Sequence, residues 1–225
     1  MQLPQNKVIR SLFISRPKEE VPFLQKFCAK NNITLHAQSQ ISFEAHTFRI
    51  TKPFDVVFFS SIRAANFFLA SYRDSNTYLT ACIGETSAIK LRNLGLDVQF
   101  VGKKSGKPEE VAKDFAEWLG DRRLLFPRSD LSNRSVAKFI KPEQVEEIQV
   151  YRTLFSCKTV PLSDVYVFSS PSNVHAFLTC NPRPVGRIIA WGETTKKALE
   201  DCDLPVSHTL ENSTEEELIK LLEEK

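Results

Sequence analysis

Short apolar runs alternate along the chain with segments in which apolar residues recur every three or four positions. The runs are continuous, which is typical of parallel strands covered on both faces. Strands are predicted at Val8–Ile14, Val56–Phe59, Ala81–Ile83, Leu124–Phe126, Ile148–Val150, Val165–Phe168 and Ile188–Trp191. Helices are predicted around residues with helical spacing, namely Val21, Leu24 and Cys28; Val111, Phe115 and Trp118; and Leu218, Leu221 and Leu222. Strands that alternate with helices indicate an α/β fold with two parallel sheets.

Residues that favour helix ends stand at the borders of these segments. Pro108, followed by two glutamates, suits the start of a helix. Ser213 with Glu216 matches a capping box, and Gly95 suits the end of a helix. The predicted helices therefore have plausible boundaries.

The chain also repeats itself. The stretch "DVVFFSS" at 55–61 returns 109 residues later as "DVYVFSS" at 164–170. A second pair, "IGETSAIKLRNLGLDV" at 83–98 and "WGETTKKALEDCDLPV" at 191–206, is offset by 108 residues. Two further pairs, the second one weaker, are 107–119 with 212–224 and 11–35 with 124–139. The sequence therefore predicts two related halves rather than a solenoid of short repeats.

Hydroxyl and glycine residues follow the repeated strands. In parallel sheets, ligands bind beyond the carboxyl ends of the strands, where helix N-termini attract anions. The alternative at each single junction is that Ser or Thr only caps its own helix. The duplication favours a shared cleft that binds an anionic ligand. The predicted binding positions are Ser60, Ser61, Gly84, Thr86, Ser169, Ser170, Ser172, Gly192 and Thr194.

Charge and composition limit the class of protein. The chain has 225 residues, of which 30 are basic and 27 acidic, with a net charge of +3 and no basic block. This balance argues against a nucleic-acid-binding protein and is compatible with a local cationic cleft. No apolar segment is long enough to cross a membrane, and the N-terminal sequence lacks the pattern of a signal peptide. We therefore expect a soluble, cytoplasmic protein.

The cysteines and the missing motifs point the same way. The cysteines are five in number and form no CxxC pair, so we expect reduced thiols, mostly small core residues. No GxGxxG, P-loop or GxSxG motif occurs, and no Cys/His spacing suggests a metal site. Neither a cofactor nor a metal is expected.

Three motifs carry a resemblance to a known family. They are "VYRTLF" at 150–155, "FSSPSNVHAFL" at 168–178 and "WGETTKKAL" at 191–199. In this order and at this chain length they resemble the uroporphyrinogen-III synthase family. The chain departs from the usual family pattern at Ile62, Ser87 and Trp191.

The resemblance implies a particular arrangement of domains. It implies two similar parallel-sheet domains of the flavodoxin-like kind, joined by a two-stranded hinge. Carried onto this chain, domain 1 would be 1–38 with 157–225, domain 2 would be 44–149, and the hinge strands would be 39–43 and 150–156.

The resemblance also implies a reaction. Members of the family convert hydroxymethylbilane to uroporphyrinogen III, with loss of water and inversion of ring D through a spiro intermediate, and without a cofactor. Because the substrate carries many carboxylates, we expect cationic contacts from Arg16, Arg63, Arg128 and Arg134, which alternatively are exposed solubilising charges. Tyr151 is the predicted proton donor, and the alternative is a packing residue of the hinge.

Two other classes stay possible from the sequence. A non-enzymatic two-domain binding protein for an anionic small molecule would also have two α/β lobes. An FMN-binding protein is disfavoured because "ISRPKEE" replaces a hydroxyl-rich phosphate loop after the first strand. For the enzyme, the expected partner is a linear tetrapyrrole, with no nucleic acid and no membrane. We expect a monomer with transient hand-over from hydroxymethylbilane synthase.

Overall fold

The computed structural model describes residues 8–72, 77–103, 108–132 and 136–224, and the chain divides into two compact units. Unit 1 consists of Met1–Ser42 and Leu154–Lys225, and unit 2 consists of Phe43–Thr153. The borders between the units fall inside two strands, at residues 42 and 43 and at residues 153 and 154.

The elements follow in alternation along the chain. The strands are β1 (Ser11–Ile14), β2 (Thr34–Ala37), β3 (Ile41–Ala45), β4 (Val56–Phe59), β5 (Leu79–Cys82), β6 (Val98–Val101), β7 (Leu124–Ser129), β8 (Val145–Phe155), β9 (Val165–Phe168), β10 (Arg187–Ala190) and β11 (His208–Thr209). The α-helices are α1 (Pro22–Lys30), α2 (Ile62–Ser71), α3 (Glu85–Asn93), α4 (Pro108–Leu119), α5 (Pro171–Cys180), α6 (Glu193–Glu200) and α7 (Glu215–Glu223). Short 3-10 turns lie at Lys18–Glu20, Ala137–Phe139 and Pro142–Gln144.

Unit 1 contains a five-stranded sheet in the order β2-β1-β9-β10-β11. Its strands pair in parallel, with Leu12 of β1 opposite Val165 of β9. Numbered within the unit, this is the 2-1-3-4-5 order of flavodoxin-like folds.

Unit 2 contains a six-stranded sheet in the order β3-β8-β7-β4-β5-β6. When β7 is taken as the first strand, β8-β7-β4-β5-β6 reproduces the strand order of unit 1, and β3 is added at the edge. The pairs from β8 to β6 are parallel. Unit 2 is thus a circularly permuted counterpart of unit 1, which explains why segment 124–139 resembles segment 11–35. The predicted α/β fold with two parallel sheets is confirmed.

The strands that the sequence pattern did not predict share one property. They are β2, β3, β6 and β11, and each lies at an edge of its sheet. An edge strand is covered less completely, so its sequence lacks a continuous apolar run. β2, for example, is a TLHA segment without a fully buried residue.

Two of the predicted helix ends are confirmed and one is wrong. Helix α4 begins at Pro108, and Gly95, with φ +85°, directly follows the end of α3. The N-cap of α7 is Thr214 rather than Ser213, because Thr214 Oγ1 accepts the Glu217 N–H at 3.2 Å. Ser213 instead donates its hydroxyl proton to the Trp191 carbonyl at 2.6 Å.

Aromatic residues fill the core of each unit. In unit 1, Phe13 is fully buried, with its ring 5.4 Å from that of Phe177. In unit 2, Phe58 is fully buried and its ring lies 4.6 Å from that of Phe115. Both residues belong to central strands, so the most deeply buried side chains lie where a sheet has helices on both faces.

The expectation of five reduced thiols is wrong for one pair. Cys157 and Cys180 form a disulfide in unit 1, with Cα atoms 5.1 Å apart. Such a bond depends on tertiary proximity, which the sequence spacing did not indicate. Cys28 and Cys82 are buried free thiols, as expected, and burial raises the pKa of Cys28 to about 11. A thiol of that pKa is unreactive at neutral pH.

The first residue of each repeated strand segment has the same role in both units. The Asp55 carboxylate accepts the Arg123 N–H at 2.8 Å, next to the start of β7. The Asp164 carboxylate accepts the N–H groups of Arg10 and Ser11 at 3.0 and 3.1 Å, at the start of β1. These aspartates fix the register of the two strands at the centre of each sheet.

Glu146 anchors an irregular segment of unit 2 and should make stability depend on pH. Its carboxylate accepts both the N–H and the hydroxyl of Thr51, at 2.8 and 2.7 Å, and the Lys52 N–H at 2.9 Å. Burial raises the pKa of Glu146, but these hydrogen bonds outweigh burial and lower it below 4.5. The contribution is therefore complete above pH 4.5 and is lost as the pH falls through the lowered pKa.

We expect Glu146→Gln to lower the free energy of unfolding at pH 7 by about 1 kcal/mol, since the site is partly solvated. Urea unfolding at pH 7 and at pH 3 should show that this difference shrinks in acid. Glu143→Gln, an exposed neighbour, is the control. An equal difference at both pH values would contradict this role for the ionised carboxylate.

Candidate functional site

The strand order reverses once in each sheet. In unit 1 the reversal lies between β1 and β9, and in unit 2 it lies between β7 and β4. Such switch points are where parallel sheets bind ligands, beyond the carboxyl ends of the strands. We define the unit 1 switch site as Ser15, Arg16, Ser169 and Ser170, and the unit 2 switch site as Ser60, Ser61 and Arg128.

The arginines of the two switch sites are structural equivalents. Leu12 pairs with Val165, and Leu124 pairs with Val56. Val165 and Val56 are 109 residues apart and are partners in the sequence repeat. Leu12 therefore corresponds to Leu124, and Arg16, four residues after Leu12, corresponds to Arg128.

Arg16 is a partly buried cation held against an aromatic ring. Its Cζ lies 4.3 Å from the centre of the Trp191 ring, and Trp191 is buried. Burial lowers the pKa of Arg16, and the carboxylates of Glu20 and Glu215 oppose this shift. The guanidinium stays charged, because arginine does not deprotonate in proteins. Arg16 is therefore an oriented positive charge at the carboxyl end of β1.

The two candidate cations of unit 2 differ in their surroundings. Arg128 Nε lies 2.8 Å from the carboxylate of Glu147, and Nη1 donates to the Ser129 carbonyl at 2.9 Å. Arg63 is exposed, with Cζ 3.6 Å from the centre of the Phe43 ring. Among the described residues no carboxylate forms an ion pair with Arg63. Arg63 is thus better placed than Arg128 to meet an anion from solution.

Most of the serines at the switch sites already have partners. Ser61 caps α2 by accepting the Ala64 N–H at 3.1 Å, and Ser170 caps α5. Ser169 donates its hydroxyl proton to the Ser15 carbonyl at 2.8 Å, and its N–H donates to Ser15 Oγ at 2.7 Å. Capping leaves the O–H of Ser61 and of Ser170 available, so a cap and a ligand contact are compatible.

Each GET turn starts a helix without a side-chain cap. Gly84 is the N-cap of α3 and Gly192 is the N-cap of α6, both with extended backbone. Thr86 and Thr194 lie exposed in the first helical turns, where the N–H groups have no partner within the helix. An open pocket adjoins Thr86, with Glu85, Val101, Gly102 and Lys103 in its lining. The remaining candidates, Ser60 and Ser172, are partly exposed at the carboxyl end of β4 and in the first turn of α5.

Tyr151 lies in an aromatic cluster of unit 2. Its ring stacks on Phe67 at 5.1 Å and meets the Phe43 ring edge-on at 5.7 Å. The residue is 6% exposed. Because Phe43 also carries Arg63, the cluster brings the phenol and a cation to the two sides of one ring.

Sequence reasoning missed several residues and placed one outside the described structure. Arg134 lies outside the described residues. Ser15, Phe43 and Phe67 carried no motif, and their roles depend on contacts across the fold. Asn173, which contacts Ser170, did carry a signal: its partner in the sequence repeat is Ala64, a residue without a polar side chain.

The fold and the switch sites define a two-domain α/β protein with duplicated positions for binding an anion. Comparison with family models identifies it further, because the model of uroporphyrinogen-III synthase HemD matches residues 29–220. The chain belongs to the uroporphyrinogen-III synthase family, so it is an enzyme of the lyase class that functions in porphyrin biosynthesis. The family and the function predicted from the sequence are confirmed, and the alternative of a non-enzymatic binding protein is not favoured.

Solved structures agree with the fold. A mutant uroporphyrinogen III synthase from the extremely thermophilic bacterium Thermus thermophilus is 12% identical, covers 94% of this chain and 97% of its own, and has a TM-score of 0.58. Another structure of Thermus thermophilus uroporphyrinogen III synthase is 13% identical over the same shares, with a TM-score of 0.42. Comparison with curated proteins gives no significant match. Within the described ranges, none of the helices has the length and apolar character needed to cross a membrane.

Proposed function

We propose that the chain converts hydroxymethylbilane to uroporphyrinogen III by holding substrate carboxylates at both switch sites and both GET turns. The observation that carries this proposal is the duplication itself. Each unit places an arginine, a capping serine and an uncapped helix start at the carboxyl edge of its sheet. Neutral donors at helix starts bind carboxylates well, and the arginines add charge.

The free energy that such binding must supply is modest. The bilane also closes without enzyme, to the wrong isomer, so the catalyst needs to favour the spiro path over direct closure. A thousandfold preference corresponds to about 4 kcal/mol of differential transition-state stabilisation. A hydrogen bond to a charged group contributes about 1.5–3 kcal/mol, so two or three contacts that improve in the transition state are enough. Positioning alone can supply this selectivity.

Loss of water from the hydroxymethyl group also requires a proton. In our proposal Tyr151 donates it to the departing hydroxyl, so that the oxygen leaves as water. The aromatic cluster supports this role, because Phe43 and Phe67 fix the ring and restrict the position of the hydroxyl. Arg63, on the same Phe43 ring, favours a nearby substrate carboxylate.

An isomer assay tests the proposal directly. We expect the purified chain, with chelator present and no added cofactor, to give the type III isomer from hydroxymethylbilane. The products are separated by chromatography after oxidation to porphyrins, with a reaction without enzyme as the control. Formation of the type I isomer alone, as in that control, would contradict the proposed activity.

The proposal extends to the setting of the reaction. We propose a cytoplasmic monomer that receives its substrate by transient transfer from hydroxymethylbilane synthase. The tendency of the bilane to close without enzyme supports direct transfer, because a shorter time in solution leaves less substrate to form the wrong isomer. Sedimentation of the chain with and without that synthase measures both the monomer and the transient complex.

A further inference from the structure

Asn173 is a buried polar residue in the first turn of α5. It is 4% exposed. Its backbone N–H donates to Ser170 Oγ at 3.3 Å, and its side-chain Nδ2 donates to the same oxygen at 3.0 Å. The first contact is an ordinary helix cap, whereas the second is an additional bond that a cap does not require.

The other end of the Asn173 amide fixes its orientation. Oδ1 accepts the backbone N–H of Gln40 at 2.8 Å, and Gln40 is fully buried. A backbone N–H can only donate, so the amide oxygen must face Gln40 and the amide nitrogen must face Ser170. Asn173 therefore links the cap of α5 to the backbone at Gln40, two residues before the end of the first segment of unit 1.

These contacts define what the Ser170 hydroxyl can still do. A serine hydroxyl can accept two hydrogen bonds and donate one. Both accepting positions of Ser170 are occupied by Asn173. Across the described ranges, no hydrogen bond has the Ser170 hydroxyl as its donor. The remaining capacity of Ser170 is donation, which suits a carboxylate and not a cation or another donor.

The counterpart in unit 2 lacks this arrangement. Ser61 accepts the N–H of Ala64, and Ala64 has no amide to fill the second accepting position. The two switch sites therefore differ at one pair of equivalent buried positions, Asn173 and Ala64. Since duplication conserves the cap and not the amide, the cap alone does not explain Asn173.

We propose that Asn173 is a positioning residue that makes Ser170 a dedicated donor to a substrate carboxylate. The inference rests on the proposed function, in which Ser170 contacts substrate, and adds that unit 1 orients its serine whereas unit 2 does not. Asn173 acts through Ser170 and does not itself contact the substrate.

Asn181 offers a matched control for the loss of a buried amide. It is 9% exposed and ends α5. Its Oδ1 accepts the Val160 N–H at 2.8 Å, and its Nδ2 donates to the Lys158 carbonyl at 3.0 Å. Asn181→Ala therefore leaves a buried backbone N–H without its acceptor, as Asn173→Ala does, but it does not touch Ser170.

Steady-state kinetics and thermal unfolding separate the two roles. We expect both alanine variants to lower the unfolding temperature, while Asn173→Ala alone raises KM about 3- to 10-fold with kcat nearly unchanged, because a ground-state contact is lost. Ser170→Ala should raise KM about 10-fold or more, and Asn173→Ala should add little to it, since both act on one contact.

Asn173→Asp provides a sharper test. An aspartate keeps an acceptor for the Gln40 N–H, so stability should stay close to that of the wild type. Its second oxygen can only accept, so it takes the Ser170 proton and adds a negative charge beside the substrate. We expect KM to rise about 10-fold or more in a folded protein.

The outcomes are distinct. Equal KM values for Asn173→Ala and Asn181→Ala, a wild-type KM for Asn173→Asp, or multiplication of the Asn173→Ala and Ser170→Ala effects would each overturn the inference. Failure of the proposed function is recognised separately, because the wild-type chain would then form no type III isomer.

Discussion

Replacing Tyr151 with phenylalanine should lower turnover of hydroxymethylbilane by about 10²- to 10⁴-fold, the range that general acids contribute. The substitution keeps the ring, so its packing on Phe67 and Phe43 is preserved. None of the described residues hydrogen-bonds the Tyr151 hydroxyl, so little stability should be lost with it. Single-turnover rates measure the chemical step, and urea unfolding measures stability.

Tyr166→Phe is the control, because the two tyrosines should show opposite patterns. The Tyr166 hydroxyl accepts the buried Ser163 N–H at 2.9 Å within unit 1. Its removal should cost about 1–3 kcal/mol of stability and leave turnover unchanged. A near-normal rate for Tyr151→Phe would remove Tyr151 as the acid, and the proton would then come from water or from a substrate carboxyl.

Replacing Thr194 with alanine should reduce kcat/KM about 10- to 100-fold without abolishing activity, because it removes one hydrogen bond to a charged group. Thr86 is its repeat partner, 108 residues earlier and also exposed in a first helical turn. We expect Thr86→Ala to have an effect of similar size. Binding by many contacts makes each single hydroxyl important and none indispensable.

The control for these variants is Thr179→Ala. Thr179 is exposed near the end of α5, and its hydroxyl bonds the His175 carbonyl at 2.8 Å within the same helix. This variant should keep wild-type kinetics. Complete loss of activity in Thr194→Ala, with circular dichroism unchanged, would show that one hydroxyl dominates and would contradict binding by many contacts.

The sequence predicted those parts of the fold in which one segment determines its own structure. The unbroken runs at Val56–Phe59 and Val165–Phe168 became central strands, because a strand covered on both faces needs apolar residues at every position. β11 has only two residues, His208 and Thr209, at a sheet edge. Such a strand is specified by its neighbour rather than by its own pattern.

The candidate site divides in the same way. The repeat indicated which junctions matter, because Ser60 and Ser169 are placed by local strand-to-helix turns. The partners of those residues come from distant segments. Asn173 meets Gln40 across 133 residues, and Arg16 meets Trp191 across a similar span. No local pattern specifies such pairs, although the difference between Asn173 and Ala64 was visible in the aligned halves.

The position of β1 has a consequence for synthesis of the chain. β1 lies between β2 and β9, yet the whole of unit 2 is made before β9 emerges. At roughly 5–20 residues per second, β1 waits on the order of ten seconds with one edge unpaired. Unit 2 is contiguous and can fold during that interval. Because β3 and β8 are neighbours in its sheet, its folding brings the two segments that flank it together. A long loop closure between β1 and β9 then becomes a short one, at a lower entropic cost. Unit 2 would in this way template the completion of unit 1, although it contributes no strand to the core of that sheet.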